Sequence, residues 1–354
     1  TFFLSTRRAI SAPLSYSQKS LWEFYRLNKG DSSYNVSVIW RFPGDLDVRK
    51  MQKACDELLR KQPSLTTAFA CQDGDVLQTI KSHAMTLVQK KSKSEEQSKQ
   101  QIKLFTAASF ILESGNVVRG LLIKEKNTSL FVLCFHHIVF DGWSLKILCD
   151  NLNKIYSGQS LCQAGFYYTD YANWQASPIA RKMFADRLDY WRQYLSAPPR
   201  LDLPSDKGRP PCRTYNGESV TQKINQQTVD RLLEMTKSLK TTVFSILYSA
   251  FALLLHQYTG QSDIIVGCPN YNRPFSALND IVGYFVSVLP VRSCFHAGLT
   301  LEQFILYHHE NLLNVFNQAV PMEYLLEQLE FQQGGEANPV FQALFVYQLE
   351  ENSL

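Results

Sequence analysis

Between residues 176 and 217 the chain carries Pro178, Pro198, Pro199, Pro204, Pro210, Pro211, Gly208 and Gly217, much its densest concentration of breakers. Proline fixes φ and removes a backbone donor, and glycine loses the most entropy on ordering, so no strand or long helix runs uninterrupted through such a stretch. At 354 residues the chain is also longer than one hydrophobic core usually serves. Together these divide it into an N-terminal lobe over residues 1–175, an interlobe region over 176–215 and a C-terminal lobe over 216–354.

Both lobes mix strand and helix patterns. Leu21, Trp22 and Tyr25 recur at helical spacing after Ser15 and Ser17, either of which can serve as N-cap. Residues 34–42 are β-branched and aromatic, and a helical pattern follows through Leu46, Val48, Met51, Ala54, Leu58 and Leu59. Strands near 65–70 and 76–80 flank Asp73-Gly74, a hairpin signal. The mixed-charge run from Lys90 to Lys103 reads as a solvated helix face. Residues 129–135 form a continuous apolar run of strand length, after which Leu145, Leu148, Cys149, Leu152 and Ile155 repeat at three and four. Phe184, Leu188, Trp191 and Leu195 mark a helix in the interlobe region. The second lobe shows helices over about 242–258 and 301–317, and strands at 263–267, 284–291 and 343–348. The fold class is therefore α/β (α+β).

Several functions are excluded by composition and pattern. The formal charge is +4 and the basic residues are scattered, which is not the footprint of nucleic-acid binding. No Gly-x-Gly-x-x-Gly or Walker loop is present to cradle a nucleotide cofactor. The eight cysteines form no C-x-x-C pair or Cys/His cluster, so they read as free thiols of a reducing, cytoplasmic protein rather than metal or redox ligands. No apolar stretch approaches the roughly 20 residues that span a bilayer. The first eight residues place their charge after the apolar ones, the reverse of a signal peptide. Because it starts at Thr1, the chain reads as cut from something longer.

The chemistry concentrates in His136-His137-Ile138-Val139-Phe140-Asp141-Gly142, where a buried strand breaks into a loop. Successive strand residues face opposite sides of a sheet, so one imidazole works in a site and the other packs. Asp141 can orient an imidazole or pair with a cation. Gly142 can adopt φ > 0 and bring its N–H close to a ligand, where it can donate to a developing oxyanion. Acyl transfer needs a group that positions or deprotonates the nucleophile and donors for the tetrahedral oxygen, and this loop offers both. No third ligand lies at metal-binding spacing. His308-His309 sits in a helical pattern without a following Asp-Gly and reads as a surface or packing pair.

These seven residues resemble the His-His-x-x-x-Asp-Gly core of nonribosomal peptide synthetase condensation domains, relatives of chloramphenicol acetyltransferase. Ser15-Tyr-Ser-Gln18 with Leu21-Trp22 resembles the first family motif, and Pro63-Ser64-Leu65-Thr66-Thr67-Ala68-Phe69 the second. Tyr168-Thr-Asp170-Tyr171-Ala172-Asn-Trp174 is similar to the fourth, Ile281-Val-Gly283-Tyr-Phe285-Val286 running to Arg292 to the fifth, Asn317-Gln318-Ala-Val-Pro321-Met-Glu323 to the sixth and Asn338-Pro339-Val-Phe341-Gln342 to the seventh. Asn272-Arg273-Pro274 and Gly260 to Gly267 also look like the family, so the resemblance covers essentially the whole chain.

The resemblance implies two acetyltransferase-like lobes in a V-shaped pseudo-dimer with the active site in an interlobe tunnel. Donor and acceptor peptidyl carrier proteins would deliver 4'-phosphopantetheine thioesters from opposite mouths, beside other synthetase domains such as the adenylation domain. The domain itself would bind no cofactor. His137 would position or deprotonate the acceptor amine, Gly142 would approach the thioester, and His136 and Asp141 would support the loop. Trp143 would line the tunnel or pack.

Three departures stand out. Thr66 occupies the position of a familiar arginine that pairs with the motif aspartate, so Asp141 needs another cation, for which Arg273 or Arg292 is the expectation. Ser287 stands where asparagine is common, and Glu336-Ala337 where Ser-Arg is typical. The chain stops at Leu354, whereas the family continues for about a hundred residues, so the second lobe is expected to be truncated. Competing functions are an epimerisation domain or another acyltransferase of the superfamily, and a non-catalytic recruitment module of the same fold.

Overall fold

The computed structural model describes residues 8–162, 164–206, 208, 217–331 and 338–348, so Pro210, Pro211, Cys212, Glu336 and Ala337 lie outside the described residues. Two compact units emerge, one formed by residues up to Lys182 with Tyr271–Val286, the other by Met183–Asn270 and Ser287–Gln348. The chain passes from the first unit to the second after Lys182, returns after Asn270 and leaves again after Val286. Residues 271–286 differ from expectation, because their place in the sequence assigns them to the second lobe and they fold with the first.

In the first unit the described elements run β1 (Ser11–Pro13), α1 (Tyr16–Leu27), β2 (Asn35–Pro43), α2 (Val48–Lys61), β3 (Thr67–Gln72), β4 (Asp75–Ile80), β5 (Leu87–Lys91), α3 (Glu95–Ala107), β6 (Val118–Lys124), β7 (Thr128–His136), α4 (Gly142–Tyr156) and α5 (Tyr168–Ala176), with α6 (Pro178–Ala185) crossing the boundary. Ser15, not Ser17, caps α1, in a reciprocal capping box with Gln18. The Asp73-Gly74 hairpin forms as expected, with both turn residues at positive φ. The charged run does not make one helix. Lys90 and Lys91 end strand β5, and α3 starts only after Ser94, whose side chain caps it ahead of Glu95 and Glu96.

Strands β1, β4 and β3 form an antiparallel sheet. The second sheet has the order β2-β7-β6-β5, with only the β5–β6 pairing parallel. Strand β7 lies inside that sheet and is covered on both faces, which is why it reads as an unbroken apolar run rather than an alternation. Phe131, Leu133 and Phe135 face the main core, with Trp40, Leu58 and Leu148, while Leu130 and Val132 face a smaller cluster with Leu121 and Ile123. Fixing β7 between two cores fixes where it must end.

The second unit holds α7 (Leu188–Tyr194), α8 (Gln226–Leu239), α9 (Val243–Thr259), β8 (Asp263–Asn270), β9 (Ser287–Cys294), α10 (Leu301–Asn317), α11 (Met322–Gln328) and β10 (Ala343–Leu344). Its sheet has the order β10-β8-β9, β10 parallel and β9 antiparallel to β8. The strand expected from Tyr284 begins at Ser287, because the Phe285 N–H bonds a side chain of the first unit instead of a neighbouring strand. His308 is buried against the Phe304 carbonyl, and the His309 ring meets Ser245 Oγ, so this pair packs. Among the described residues no single helix is long and apolar enough to cross a membrane.

Candidate active site

The motif is built by the end of β7. The His136 and His137 amides still donate, to the carbonyls of Val117 and Tyr34, so the chain leaves the sheet in strand direction. It then makes one 3₁₀ turn, His137–Val139, before α4. Phe140 stacks on Phe135 with ring centroids 4.1 Å apart, and Gln18 Nε2 donates to the Ile138 carbonyl at 3.1 Å. Apolar stacking and one buried amide thus pin the turn from opposite chemistries.

His136 and His137 take the two different roles that neighbouring positions impose. The His136 ring is 5% exposed, amid Tyr25, Tyr34 and Phe110, and its Nδ1 accepts from the Ile138 N–H at 3.1 Å. That bond requires an unprotonated Nδ1, and burial, reinforced by His137, pushes the pKa down to about 4. The His137 side chain is only partly buried and meets the Tyr284 ring edge to face at 5.0 Å. Burial also lowers its pKa, against the opposing pull of its own and the Phe140 backbone and of the Asp141 carboxylate. The less buried member of the pair is therefore a neutral imidazole near pH 7.

Asp141 is 1% exposed and well supplied with partners. As N-cap of α4 its Oδ1 accepts from the Ser144 N–H at 2.9 Å and from Ser144 Oγ at 2.7 Å, and its Oδ2 accepts from the Phe285 N–H at 3.0 Å. Arg273 Nη2 lies 3.5 Å from Oδ1. Of the two cations expected, Arg273 takes the place. Arg292 is set aside, because in the second unit its guanidinium pairs with both oxygens of Asp263, at 2.9 and 2.5 Å, and donates to the carbonyls of Tyr194 and Ser196. Thr66 is buried and donates to the Pro63 carbonyl, so it supplies Asp141 with no charge.

Gly142 is the first residue of α4 and exposed. It therefore has helical backbone rather than the left-handed geometry that glycine allows. Trp143 Nε1 donates to the Asn279 carbonyl at 3.0 Å, with Tyr271 edge-on at 5.4 Å. It lines a groove of about 590 Å³ on the first unit together with Gln62, Lys146, Lys154 and Asp280.

Residues outside the His-His-x-x-x-Asp-Gly stretch hold this arrangement. Segment 278–285 is tied down at successive backbone groups. Arg273 donates to the carbonyls of Leu278 and Ile281, Gln62 Nε2 to that of Asp280, Ser64 Oγ to that of Val282 and Tyr168 OH to that of Tyr284, while Ser144 Oγ accepts from the Gly283 N–H. Ser144 was detectable, since it follows the N-cap Asp141 by three residues. Ser64, Tyr168 and Arg273 stand in stretches that the family resemblance marks, whereas Gln62 acts on distant backbone atoms and leaves no local signal. Tyr168, Asp170, Tyr171 and Trp174 are all buried on α5, as architectural residues are.

A profile of the family described as Condensation domain matches residues 9–353. The chain belongs to the condensation-domain family. Among curated proteins, this condensation domain is 31% identical over 339 residues to bacitracin synthase 1 of Bacillus licheniformis, covering 94% of the chain and 6% of that protein. It is 32% identical over 339 residues to gramicidin S synthase 2 of Brevibacillus brevis, covering 95% and 8%. The domain thus spans less than a tenth of the length of these relatives. Among solved structures, the condensation domain of the Monacolin K polyketide synthase MokA superposes with a TM-score of 0.85 at 21% identity, covering 95% of this chain and 81% of that one. The X-domain from teicoplanin biosynthesis also gives 0.85 at 21%, covering 96% and 78%. At that identity both establish a shared mixed α/β fold.

Proposed function

We propose that this condensation domain forms an amide bond between a donor acyl or peptidyl thioester and the amine of an acceptor aminoacyl thioester, each carried on the phosphopantetheine arm of a carrier protein. The observation that carries the reading is the division of labour within the motif: Asp141 is buried and fully engaged, His136 is buried and neutral, and His137 is left partly open beside the exposed start of α4. The amine nitrogen attacks the thioester carbonyl, the tetrahedral oxygen collapses, the C–S bond breaks, and the thiol leaves with a proton. His137 orients the amine through its nitrogen lone pair, accepts the proton released as the amide forms and passes it to the departing sulfur. Its lowered pKa makes it a weak base, so positioning an already activated thioester against the amine supplies much of the rate. The first-turn N–H groups at Gly142 face the site where negative charge develops, and they are intrinsically without helical partners. The domain holds no cofactor of its own in this scheme.

The experiment is intact-protein mass spectrometry of two loaded carrier proteins incubated with the domain. Donor mass should move to the acceptor carrier, and His137→Ala should slow the transfer by at least about 100-fold, within the usual general acid–base range. A second reading is favoured by one comparison. A structure of the X-domain in complex with OxyB from teicoplanin biosynthesis has a TM-score of 0.84 to this chain at 22% identity, which makes a recruiting role on this fold the alternative. Transfer unaffected by His137→Ala, or none with any donor while carriers still bind, supports recruitment.

A further inference from the structure

His137 Nδ1 is buried and makes no hydrogen bond among the described residues. The His137 and Phe140 backbone lies close enough to favour the imidazolium, but no hydrogen bond of normal geometry at Nδ1 fixes the rotation of the imidazole, whose χ2 well is intrinsically broad. The aromatic contact it does make is with Tyr284, centroids 5.0 Å apart and planes at 73°. Tyr284 is in turn held at its backbone. Its carbonyl accepts from Tyr168 OH at 2.5 Å, the preceding Gly283 N–H bonds Ser144 Oγ at 3.0 Å, and the following Phe285 N–H bonds Asp141 Oδ2 at 3.0 Å. Asp141 directs its described hydrogen bonds to Ser144, Phe285 and Arg273, and none to His137.

We propose that Tyr284 is a positioning residue that fixes the His137 ring and shields it from water, and that Asp141, besides the direct pull of its charge, holds the histidine in place through it. The inference rests on the proposed role of His137. Gly283 shows how closely the segment is seated: a Cβ there would lie 2.2 Å from Cδ2 of Tyr168, the residue whose hydroxyl holds the Tyr284 carbonyl. Moving either end of the short run 283–285 therefore moves Tyr284 against the imidazole. Among the described residues the titratable groups at His137 are the Asp141 carboxylate, which favours the imidazolium, the neighbouring His136, whose own pKa the His137 charge lowers, and the Tyr284 phenol whose ring meets the imidazole.

The test follows the His137 ring by ¹H–¹⁵N correlation across pH in histidine-labelled protein, with His137→Asn assigning its signals. Tyr284→Phe keeps the ring and should leave the titration in place. Tyr284→Ala admits water and should raise the midpoint by about one pH unit, the ordinary scatter that environment imposes on histidines. It should also lower the transfer rate at saturating carriers about tenfold, with the carrier KM unchanged. Asp141→Asn should then cost little more in the Tyr284→Ala background than the tyrosine change alone. If Tyr284→Ala loses its fold, Tyr284→Leu keeps apolar volume without the aromatic edge and should shift the titration in the same direction. An unchanged titration in folded Tyr284→Ala or Tyr284→Leu overturns the proposal, as does an Asp141→Asn cost that is the same in both backgrounds. Because the titration needs no turnover, it reads the hold of Tyr284 even if His137→Ala retains transfer and the condensation reading itself fails.

Discussion

Arg273 Nη2 and Asp141 Oδ1 lie 3.5 Å apart with side chains 3% and 0% exposed. The distance is long for a charge-assisted bond, so the pair works through charge and enclosure more than through one hydrogen bond. Arg273 also lies 3.9 Å from the Phe285 ring centroid and donates to two carbonyls of the segment that carries Tyr284. Burial lowers its pKa, and Asp141 pulls it back. Arg273→Met should leave a buried carboxylate without a cation and cost about 3–5 kcal/mol in denaturant unfolding. Arg273→Lys should recover less than half of that, since an ammonium cannot reach Asp141 and two carbonyls at once. A methionine variant within about 1 kcal/mol of wild type would show that Asp141 does not depend on this cation.

His136 makes stability pH-dependent in a defined direction. Its folded pKa of about 4 lies below the ordinary 6.5, so the unfolded chain binds the proton more readily. The contribution is present above pH 6.5 and is lost as pH falls toward 4, on the order of 3 kcal/mol over the window. His136→Asn offers Oδ1 where Nδ1 accepts from Ile138 and does not titrate. It should flatten the stability profile between pH 6.5 and 4 relative to wild type, and equal slopes in the two proteins would assign the acid sensitivity elsewhere.

The sequence showed most plainly what local periodicity and caps encode. Strand β7, the loop after it and α4 fall where the apolar run, the histidines and Asp141-Gly142 place them, and the asymmetry between His136 and His137 follows from strand alternation. The partner of Asp141 was narrowed to two arginines by the need to neutralise a buried carboxylate, but only packing chooses between them, because Arg273 and Arg292 are equally polar in sequence and Asp263 claims the second. Likewise Tyr284-Phe285-Val286 has strand composition, but its backbone is taken up by residues far away in the sequence, the Tyr284 carbonyl by Tyr168 and the Phe285 N–H by Asp141, 144 positions away. Composition carries no trace of such a contact.

Gly283 is a glycine for want of space. An added Cβ would lie 2.2 Å from Tyr168 Cδ2 and 2.9 Å from Phe285 Cε2, both rings in buried residues. Neither ring can swing away freely, since Tyr168 is hydrogen-bonded to Ser15 and to the Tyr284 carbonyl and meets Phe285 edge-on at 4.8 Å. Gly283→Ala should destabilise by about 1–3 kcal/mol, the range for overpacked sites. Gly298→Ala is the contrast: its φ of 91° strains any side chain, but nothing lies within 4 Å, so it should cost stability without changing transfer at the His137 site. Equal effects of the two on transfer would mean that the Gly283 contact does not bear on the site.

Gln18 and Gln78, each 1% exposed, form a buried amide pair in which Gln78 Nε2 donates to Gln18 Oε1 at 2.8 Å. Gln18 also accepts from the Ser15 N–H and donates to the Ile138 carbonyl, whereas Gln78 donates to the Pro13 carbonyl. Replacing either by leucine orphans buried polar groups and should cost about 1–3 kcal/mol in unfolding. The two should differ in rate. Only Gln18→Leu releases the turn directly after His137, so it should slow acyl transfer at saturating carriers while Gln78→Leu leaves transfer near wild type. Because the amides satisfy each other, the double variant should be less damaging than the sum by about 1 kcal/mol. Additivity within about 0.5 kcal/mol would mean that the glutamines act separately, and a rate loss shared equally by both single variants would mean that Gln18 does not reach the chemistry through Ile138.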